Sequence, residues 1–191
     1  IKPSRELVWL PCAENRECAR FKVPMDHTNP SDDMVVIAMI RVRAKVSPTS
    51  KDYRGPIFLN PGGPGSSGVQ FIDRLGEDMQ DLLGGEYDIV GFDPRGVGQT
   101  TPRVSLFNDK FERAFWEHDE PSTVNASTGS LAKAYSRSIL LGEIAARTIN
   151  YTGQYVSTAM VARDMLAIIR AHDRDKLLYW GFSYGTALGA T

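Results

Sequence analysis

The stretch Lys176-Leu177-Leu178-Tyr179-Trp180-Gly181-Phe182-Ser183-Tyr184-Gly185 decides the fold of this chain. A short apolar run leads into a serine that has a glycine two residues away on each side. This pattern predicts a strand, a sharp turn and a helix, with the Ser183 hydroxyl pushed out of the sheet as a nucleophile. A structural turn in which Ser183 only caps the helix is the alternative.

A second glycine-rich segment follows another short apolar strand. Pro56-Ile57-Phe58-Leu59 runs directly into Asn60-Pro61-Gly62-Gly63-Pro64-Gly65. Acyl transfer places negative charge on a carbonyl oxygen, and fixed N–H donors must already point at that oxygen. In this architecture the backbone amides of Gly63 and Tyr184 are the expected oxyanion donors. A plain turn without that role is the alternative for the glycine loop.

We expect no catalytic role for the remaining polar motif or for the histidines. Asp93-Pro94-Arg95-Gly96 follows a predicted strand, and we expect Asp93 and Arg95 to tie loops together through charge-assisted hydrogen bonds. His27, His118 and His172 all precede Ser183 and lie in polar or helix-end segments that indicate the surface. None of the three is a good candidate for the general base.

Strand and helix patterns alternate along the chain, which predicts an α/β fold with a mostly parallel sheet covered by helices on both faces. The whole of residues 1–191 is expected to form part of a single domain. Within it we expect an N-terminal segment, 1–30, and a helical insertion, 103–150. The predicted helices are Val69–Leu83, Phe107–His118, Leu131–Ile149 and Ser157–Ala171, with Ser157 as an N-cap; strands are predicted at Arg20–Val23, Met34–Val42, Pro56–Leu59, Tyr87–Phe92 and just before Gly181.

Composition narrows the class of protein. The chain has 191 residues, 42% of them hydrophobic and 24% charged, with a formal net charge of −1. We therefore expect no nucleic-acid or membrane partner, and we expect no metal or cofactor.

Three features favour a secreted glycoprotein. The first residue is isoleucine, and acceptor sequons occur at Asn125 and Asn150. Cys12 and Cys18 are the only cysteines, so in a secreted protein we expect a short local disulfide; two free thiols in a cytosolic protein are the alternative.

Four ordered motifs resemble those of secreted tripeptidyl-aminopeptidase-like α/β-hydrolases, which are related to the prolyl aminopeptidases. The motifs are Glu17-Cys18 leading to Val23-Pro24-Met25-Asp26, the loop Asn60 to Gly65, Gly91-Phe92-Asp93-Pro94-Arg95-Gly96-Val97-Gly98, and Gly181-Phe182-Ser183-Tyr184-Gly185-Thr186. The resemblance covers nearly the whole chain. It implies the α/β-hydrolase fold, a serine exopeptidase activity, Ser183 as nucleophile, Gly63 and Tyr184 as oxyanion donors, and the cysteine pair.

The family's acid, histidine and lid lie downstream of the serine, and residues 184–191 include neither an acid nor a histidine. We therefore expect the C-terminal portion of the same precursor, as a separate docked chain, to supply the aspartate and histidine. The expected activity is an aminopeptidase that releases short N-terminal peptides or residues. An esterase or lactonase acting on small molecules, and a non-catalytic scaffold fragment, are the alternatives.

Overall fold

The computed structural model describes residues 1–119 and 123–191. Its strands are β1 (Leu10–Ala13), β2 (Arg16–Pro24), β3 (Met34–Val42), β4 (Gly55–Asn60), β5 (Tyr87–Phe92) and β6 (Leu178–Gly181). Its helices are α1 (Gly68–Leu82), α2 (Lys110–His118), α3 (Ser130–Thr148), α4 (Asn150–Gly153), α5 (Thr158–Arg170) and α6 (Tyr184–Ala190). The predicted N-cap of α5 is confirmed, because the Ser157 hydroxyl accepts a hydrogen bond from the Met160 amide.

The strands form one mixed sheet in the order β1-β2-β3-β5-β4-β6. Strands β1, β2, β3 and β5 pair antiparallel in succession, and β5, β4 and β6 pair parallel. The parallel part positions the site. Asn60 and Gly181 are register partners at the carboxyl ends of β4 and β6, so the glycine loop and the serine turn leave the sheet side by side.

Helices cover both faces of the sheet. On one face Ile72 of α1 packs with Leu59 and Ile89, all fully buried. On the other face Ile168 of α5 and Leu188 of α6 pack in the cluster that holds Phe58. Neighbouring residues of a strand point to opposite faces, which is why Phe58 and Leu59 anchor different layers. Burying each such side chain contributes about 1.5–3 kcal/mol.

The N-terminal segment forms a hairpin that the sequence pattern predicted only in part. A disulfide joins Cys12 of β1 to Cys18 of β2. Strand β2 spans Arg16–Pro24, longer than the predicted Arg20–Val23, and β1 was not predicted at all. All four residues of β1 are exposed, so this edge strand lacks the apolar alternation that marks a half-buried strand.

The chain divides into two compact units. The first comprises Ile1–Arg103 and Tyr155–Thr191, which contain the sheet, and the second is Val104–Gln154. In the second unit the Arg137 guanidinium lies 4.2 Å from the centre of the Trp116 ring, and the Lys133 ammonium donates to the Asp119 carboxylate at 2.7 Å. These contacts hold α2 against α3.

Among the described residues, none of the helices combines the length and the apolar character needed to cross a membrane.

Candidate active site

Ser183 has the backbone conformation of a strained turn. Its φ and ψ angles are 52° and −124°, a region that non-glycine residues rarely adopt, and its side chain is exposed. Holding a residue there costs about 1–3 kcal/mol, and such strain concentrates at functional sites. The Ser183 side chain makes no capping hydrogen bond to α6. The alternative reading of Ser183 as a simple helix cap is therefore wrong.

The two glycines that flank the serine let strand β6 and helix α6 approach closely. A methyl carbon placed on Gly181 would lie 2.2 Å from the carbonyl oxygen of Gly185, which no side chain can accommodate. The Tyr179 hydroxyl donates to that same oxygen at 2.8 Å. Because these contacts leave no free space between β6 and α6, they restrict the conformation of the turn that contains Ser183.

The glycine-rich loop after β4 packs directly against the serine turn. Gly62 has φ of 94°, and a methyl carbon on it would lie 2.4 Å from the Phe182 carbonyl oxygen and 3.0 Å from Ser183 Cβ. The Tyr184 amide nitrogen is also 3.0 Å from that position. The sequence motifs at residues 60–65 and 181–185 thus come together in space, as the nucleophile and oxyanion-hole prediction requires.

The two predicted oxyanion donors belong to these adjoining segments. Within residues 1–119 and 123–191, no hydrogen bond is found from the Gly63 or the Tyr184 amide. Both N–H groups are therefore available to a ligand, and their role as oxyanion donors stays a prediction. The Tyr184 side chain is held separately, since its hydroxyl lies 2.7 Å from Thr158 Oγ1 at the start of α5.

A cavity of about 380 Å³ opens beside the turn. Most of its lining is apolar or uncharged: Asn60, Gly62, Pro64, Gly65, Pro94, Val97, Val156, Ser157, Thr158, Val161, Tyr184 and Leu188. Arg95 is the one charged side chain among the described residues that line it. A larger cavity of about 580 Å³ lies between the β1–β2 hairpin and the end of α1, and its lining includes no residue of the serine turn.

The charge of Arg95 is neutralised inside the protein. Its guanidinium donates to both oxygens of Asp164, from Nε at 2.7 Å and from Nη2 at 2.6 Å. It also donates to the carbonyl oxygens of Met25 and Pro24. Arg95 is 2% exposed and Asp164 0%. The bidentate pair thus ties the loop after β5 to α5 and to the end of β2.

The neighbouring Asp93 ties a different set of loops. Its carboxylate accepts from the Ser67 hydroxyl at 2.6 Å and from the backbone amides of Val69 at 3.0 Å and Gln99 at 2.7 Å. It is fully buried. Asp93 and Arg95 therefore tie loops together as predicted, and each residue does so with its own set of partners.

The expectation of surface histidines is wrong for two of the three. His27 donates from Nε2 to Asp164 at 2.7 Å and its side chain is 13% exposed, so it extends the Arg95–Asp164 pair. His172 donates from Nδ1 to the Ile168 carbonyl at 2.9 Å, its Nε2 is buried, and burial lowers its pKa. His118 ends α2 and is exposed.

The contact of His27 was not foreseeable from its local sequence, because its partner Asp164 lies 137 residues away, whereas His172 binds the Ile168 carbonyl four residues before it. Among the described residues no histidine is hydrogen-bonded to Ser183, and no cluster of three or more histidine, cysteine, aspartate or glutamate residues could hold a metal ion. The site therefore presents an exposed serine and two amides that no described protein group accepts from, beside a cavity where the Arg95 charge is paired with Asp164.

The family model of the α/β-hydrolase fold matches residues 55–191, which include both the glycine loop and the serine turn. This chain belongs to the α/β-hydrolase fold family. The predicted α/β-hydrolase fold is thereby confirmed, with a sheet that is mixed, since three of its five described strand pairings are antiparallel. The parallel part of this sheet accounts for the adjoining loops at the ends of β4 and β6.

Three relatives illustrate the range of proteins to which this α/β-hydrolase chain is similar. It is 30% identical over 99% of its length to serine protease Hip1 of Mycobacterium tuberculosis, where the match covers 37% of the relative. It is 33% identical over 95% of its length to tripeptidyl aminopeptidase of Streptomyces lividans, covering 34% of that protein. It is 32% identical over 78% of its length to carboxylesterase B of Mycobacterium tuberculosis, covering 27% of that protein.

The α/β-hydrolase chain thus spans about a third of the length of the first two relatives, 37% and 34%. These names support a serine hydrolase, which agrees with the exposed serine of the turn.

Proposed function

We propose that this chain carries the nucleophile and the oxyanion hole of a serine hydrolase that acts as an aminopeptidase. The observation that supports this most is the contact between the Gly62 backbone and the strained Ser183 turn. Ser183 Oγ attacks the carbonyl carbon of the substrate, and the electron pair moves to the carbonyl oxygen. The amides of Gly63 and Tyr184 bind that oxyanion while a base takes the serine proton. The collapse of the tetrahedral intermediate leaves an acyl-enzyme and expels the amine, which receives that proton, and water then hydrolyses the acyl-enzyme.

We propose further that the histidine and the acid that activate Ser183 come from polypeptide outside residues 1–191. Support comes from two of the three histidines of the chain, because the His27 ring binds Asp164 and the His172 ring binds the Ile168 carbonyl. A serine hydroxyl is a weak nucleophile until a neighbouring base takes its proton.

The partner we propose is the C-terminal portion of the same precursor, present as a separate chain. Strand β6 is an edge strand of the sheet and pairs with β4 alone among the described strands. Its residue Leu178 is 41% exposed, and the rings of Trp180 and Phe182 stack with centroids 5.3 Å apart. Open strand edges and apolar side chains are where another polypeptide adds to a sheet.

Two relatives support peptide substrates, since one is named a serine protease and the other a tripeptidyl aminopeptidase. We therefore propose the release of short peptides or residues from peptide N-termini. An aminopeptidase needs an acidic group for the substrate ammonium. Because the described residues that line the cavity beside the serine turn include no acidic side chain, we propose that the partner supplies that group.

Hydrolysis of small esters or lactones is the second candidate. The carboxylesterase relative supports it, and so does the cavity beside the turn, where the Arg95 charge is already paired with Asp164. An uncharged acyl group suits such a cavity without any further group to bind an ammonium.

Parallel hydrolysis assays on the complete assembly test the proposal. An aminopeptidase cleaves tripeptidyl arylamides with a free amine faster than their N-acetylated forms, whereas an esterase prefers short-chain aryl esters and ignores that amine. Ser183→Ala should remove either activity, and Ser138→Ala on exposed α3 serves as the matched control. If neither substrate is cleaved by the wild-type assembly, the proposal fails and the non-catalytic scaffold is favoured.

We also propose that the protein is secreted and glycosylated. The disulfide between Cys12 and Cys18 supports an oxidising compartment. Asn125 is exposed, as an acceptor must be, while the Asn150 side chain lies outside what the structure describes. Intact-mass measurement of the native protein, before and after glycosidase treatment, tests both acceptor sites; an unchanged mass would contradict the proposal of glycans.

A further inference from the structure

Asn60 is a buried polar residue whose place in the site neither the nucleophile nor the oxyanion assignment explains. It ends β4, it is 2% exposed, and it pairs in register with Gly181 at the end of β6. It also lines the cavity beside the serine turn. A buried amide side chain is costly unless it is hydrogen-bonded, so its partners indicate what it does.

The backbone and the side chain of Asn60 bind different halves of the site. Its carbonyl oxygen accepts from the Phe182 amide at 2.9 Å, which fixes the residue directly before Ser183. Its side-chain oxygen Oδ1 accepts from the Gly62 amide at 2.8 Å, and this bond is buried. One residue therefore holds the glycine loop and the serine turn in a common frame.

Helix α6 is also fitted to Asn60. A methyl carbon on Gly185 would lie 2.9 Å from the Asn60 carbonyl oxygen and 3.0 Å from Oδ1. Gly185, two residues after the nucleophile, thus makes room for both oxygens of Asn60. A larger side chain than that of Gly185 would therefore clash with Asn60 at the point where the turn enters α6.

The bond to Gly62 also decides which amide of the loop is free. An N–H group can pair only with an acceptor, so the Asn60 oxygen must face Gly62. The Gly62 amide is thereby occupied, whereas the next amide, that of Gly63, donates no hydrogen bond among the described residues. Losing the Asn60 oxygen would leave a buried donor unpaired and release the loop to reorient.

We propose that Asn60 is a positioning residue that aligns the oxyanion donor of Gly63 with Ser183 by binding the Gly62 amide. The inference rests on the proposed serine hydrolase function. It assigns a role to the first residue of the Asn60–Gly65 motif. Asn60 acts through the two backbone segments and takes part in no bond that forms or breaks in the reaction.

The test compares Asn60→Leu and Asn60→Asp in the complete assembly, with exposed Asn29→Asp as the matched control. Asn60→Leu keeps the number and branching of the side-chain heavy atoms and removes the acceptor. Because a small misplacement of catalytic groups costs up to about 100-fold, we expect kcat for an aryl ester to fall about 10–100-fold, with KM within about twofold. Asn60→Asp keeps an acceptor but, when ionised, places a negative charge near the oxyanion.

We therefore compare kcat/KM of Asn60→Asp with kcat/KM of the wild type at each pH. The ratio of the variant value to the wild-type value should rise about tenfold or more as the pH is lowered from 8 to 5, because the buried carboxyl becomes protonated. A purely structural role would not change that ratio with pH. Wild-type kcat in Asn60→Leu, or a ratio for Asn60→Asp that is flat with pH, would overturn the inference. If Asn60→Leu does not fold, the ratio for Asn60→Asp decides alone.

Amide hydrogen exchange measured by NMR separates this inference from the proposed function. A wild-type assembly that hydrolyses nothing contradicts the hydrolase proposal, but it leaves the exchange rates measurable. We expect the Gly62 and Phe182 amides of the wild type to exchange at least about tenfold more slowly than the Gly63 and Tyr184 amides. Equal rates for the four amides would overturn the role of Asn60 whether or not the protein is active.

Discussion

Substituting Gly62 by alanine should disrupt the site more than substituting any glycine that has free space around it. The Gly62→Ala change adds a methyl group at φ of 94°, with the Phe182 carbonyl oxygen 2.4 Å away. Gly65 is the matched control, because it has φ of 102° in the same loop, yet nothing lies within 4 Å of its added methyl. The two variants share the backbone penalty and differ in the close contact.

The expected magnitudes follow from these two contributions. Left-handed backbone costs an L-residue about 1–2 kcal/mol, and this applies to both variants. Overpacking adds about 1–3 kcal/mol to Gly62→Ala alone. For a chain of this size the added amount lowers the unfolding midpoint by about 2–12 °C relative to Gly65→Ala. Shifting the loop away from Ser183 should also reduce kcat by up to about 100-fold.

Differential scanning calorimetry and ester hydrolysis by the complete assembly measure both effects. We expect Gly62→Ala to fall below Gly65→Ala in unfolding midpoint and in kcat. Equal midpoints and equal kcat values for the two variants would show that the glycine loop does not press against the serine turn.

Three further predictions concern stability. Asp164→Asn should destabilise the protein by about 3–5 kcal/mol in urea unfolding, because it leaves the Arg95 charge buried and unpaired; a loss under 1 kcal/mol would contradict this. Burial lowers the pKa of His172 below its ordinary 6.5, so the unfolded chain binds more protons and stability should fall as pH drops below about 6.5; an equally steep fall in His172→Gln would contradict it. Replacing Cys12 and Cys18 by serine should cost about 2 kcal/mol, and an unchanged urea midpoint would argue against the disulfide.

Local patterns predicted the parts of the fold that local interactions specify. The spacing of the glycines predicted the turn at 181–185 and the loop at 60–65, and Ser157 predicted the N-cap of α5. Strand β1 was missed because an exposed edge strand has no apolar pattern, and its pairing with β2 depends on the hairpin as a whole.

The buried polar groups of the site could not be predicted in the same way. Arg95 and Asp164 are 69 residues apart, and the local sequence around either residue does not predict the other as its partner. Polar sequence around His27 indicates the surface, yet the fold brings the ring against Asp164. Charge pairing across distant segments follows only from the tertiary structure, so the sequence predicted that Arg95 ties loops together but not that Asp164 is its partner.

The central claim is that Ser183 is a nucleophile held between the glycine loop and α6, and covalent labelling tests it most directly. The complete assembly is treated with a fluorophosphonate, digested, and the modified peptide is sequenced by mass spectrometry. We expect one adduct on Ser183, lost in Ser183→Ala and kept in Ser138→Ala. An adduct on another serine, or none in an assembly that hydrolyses esters, would contradict it.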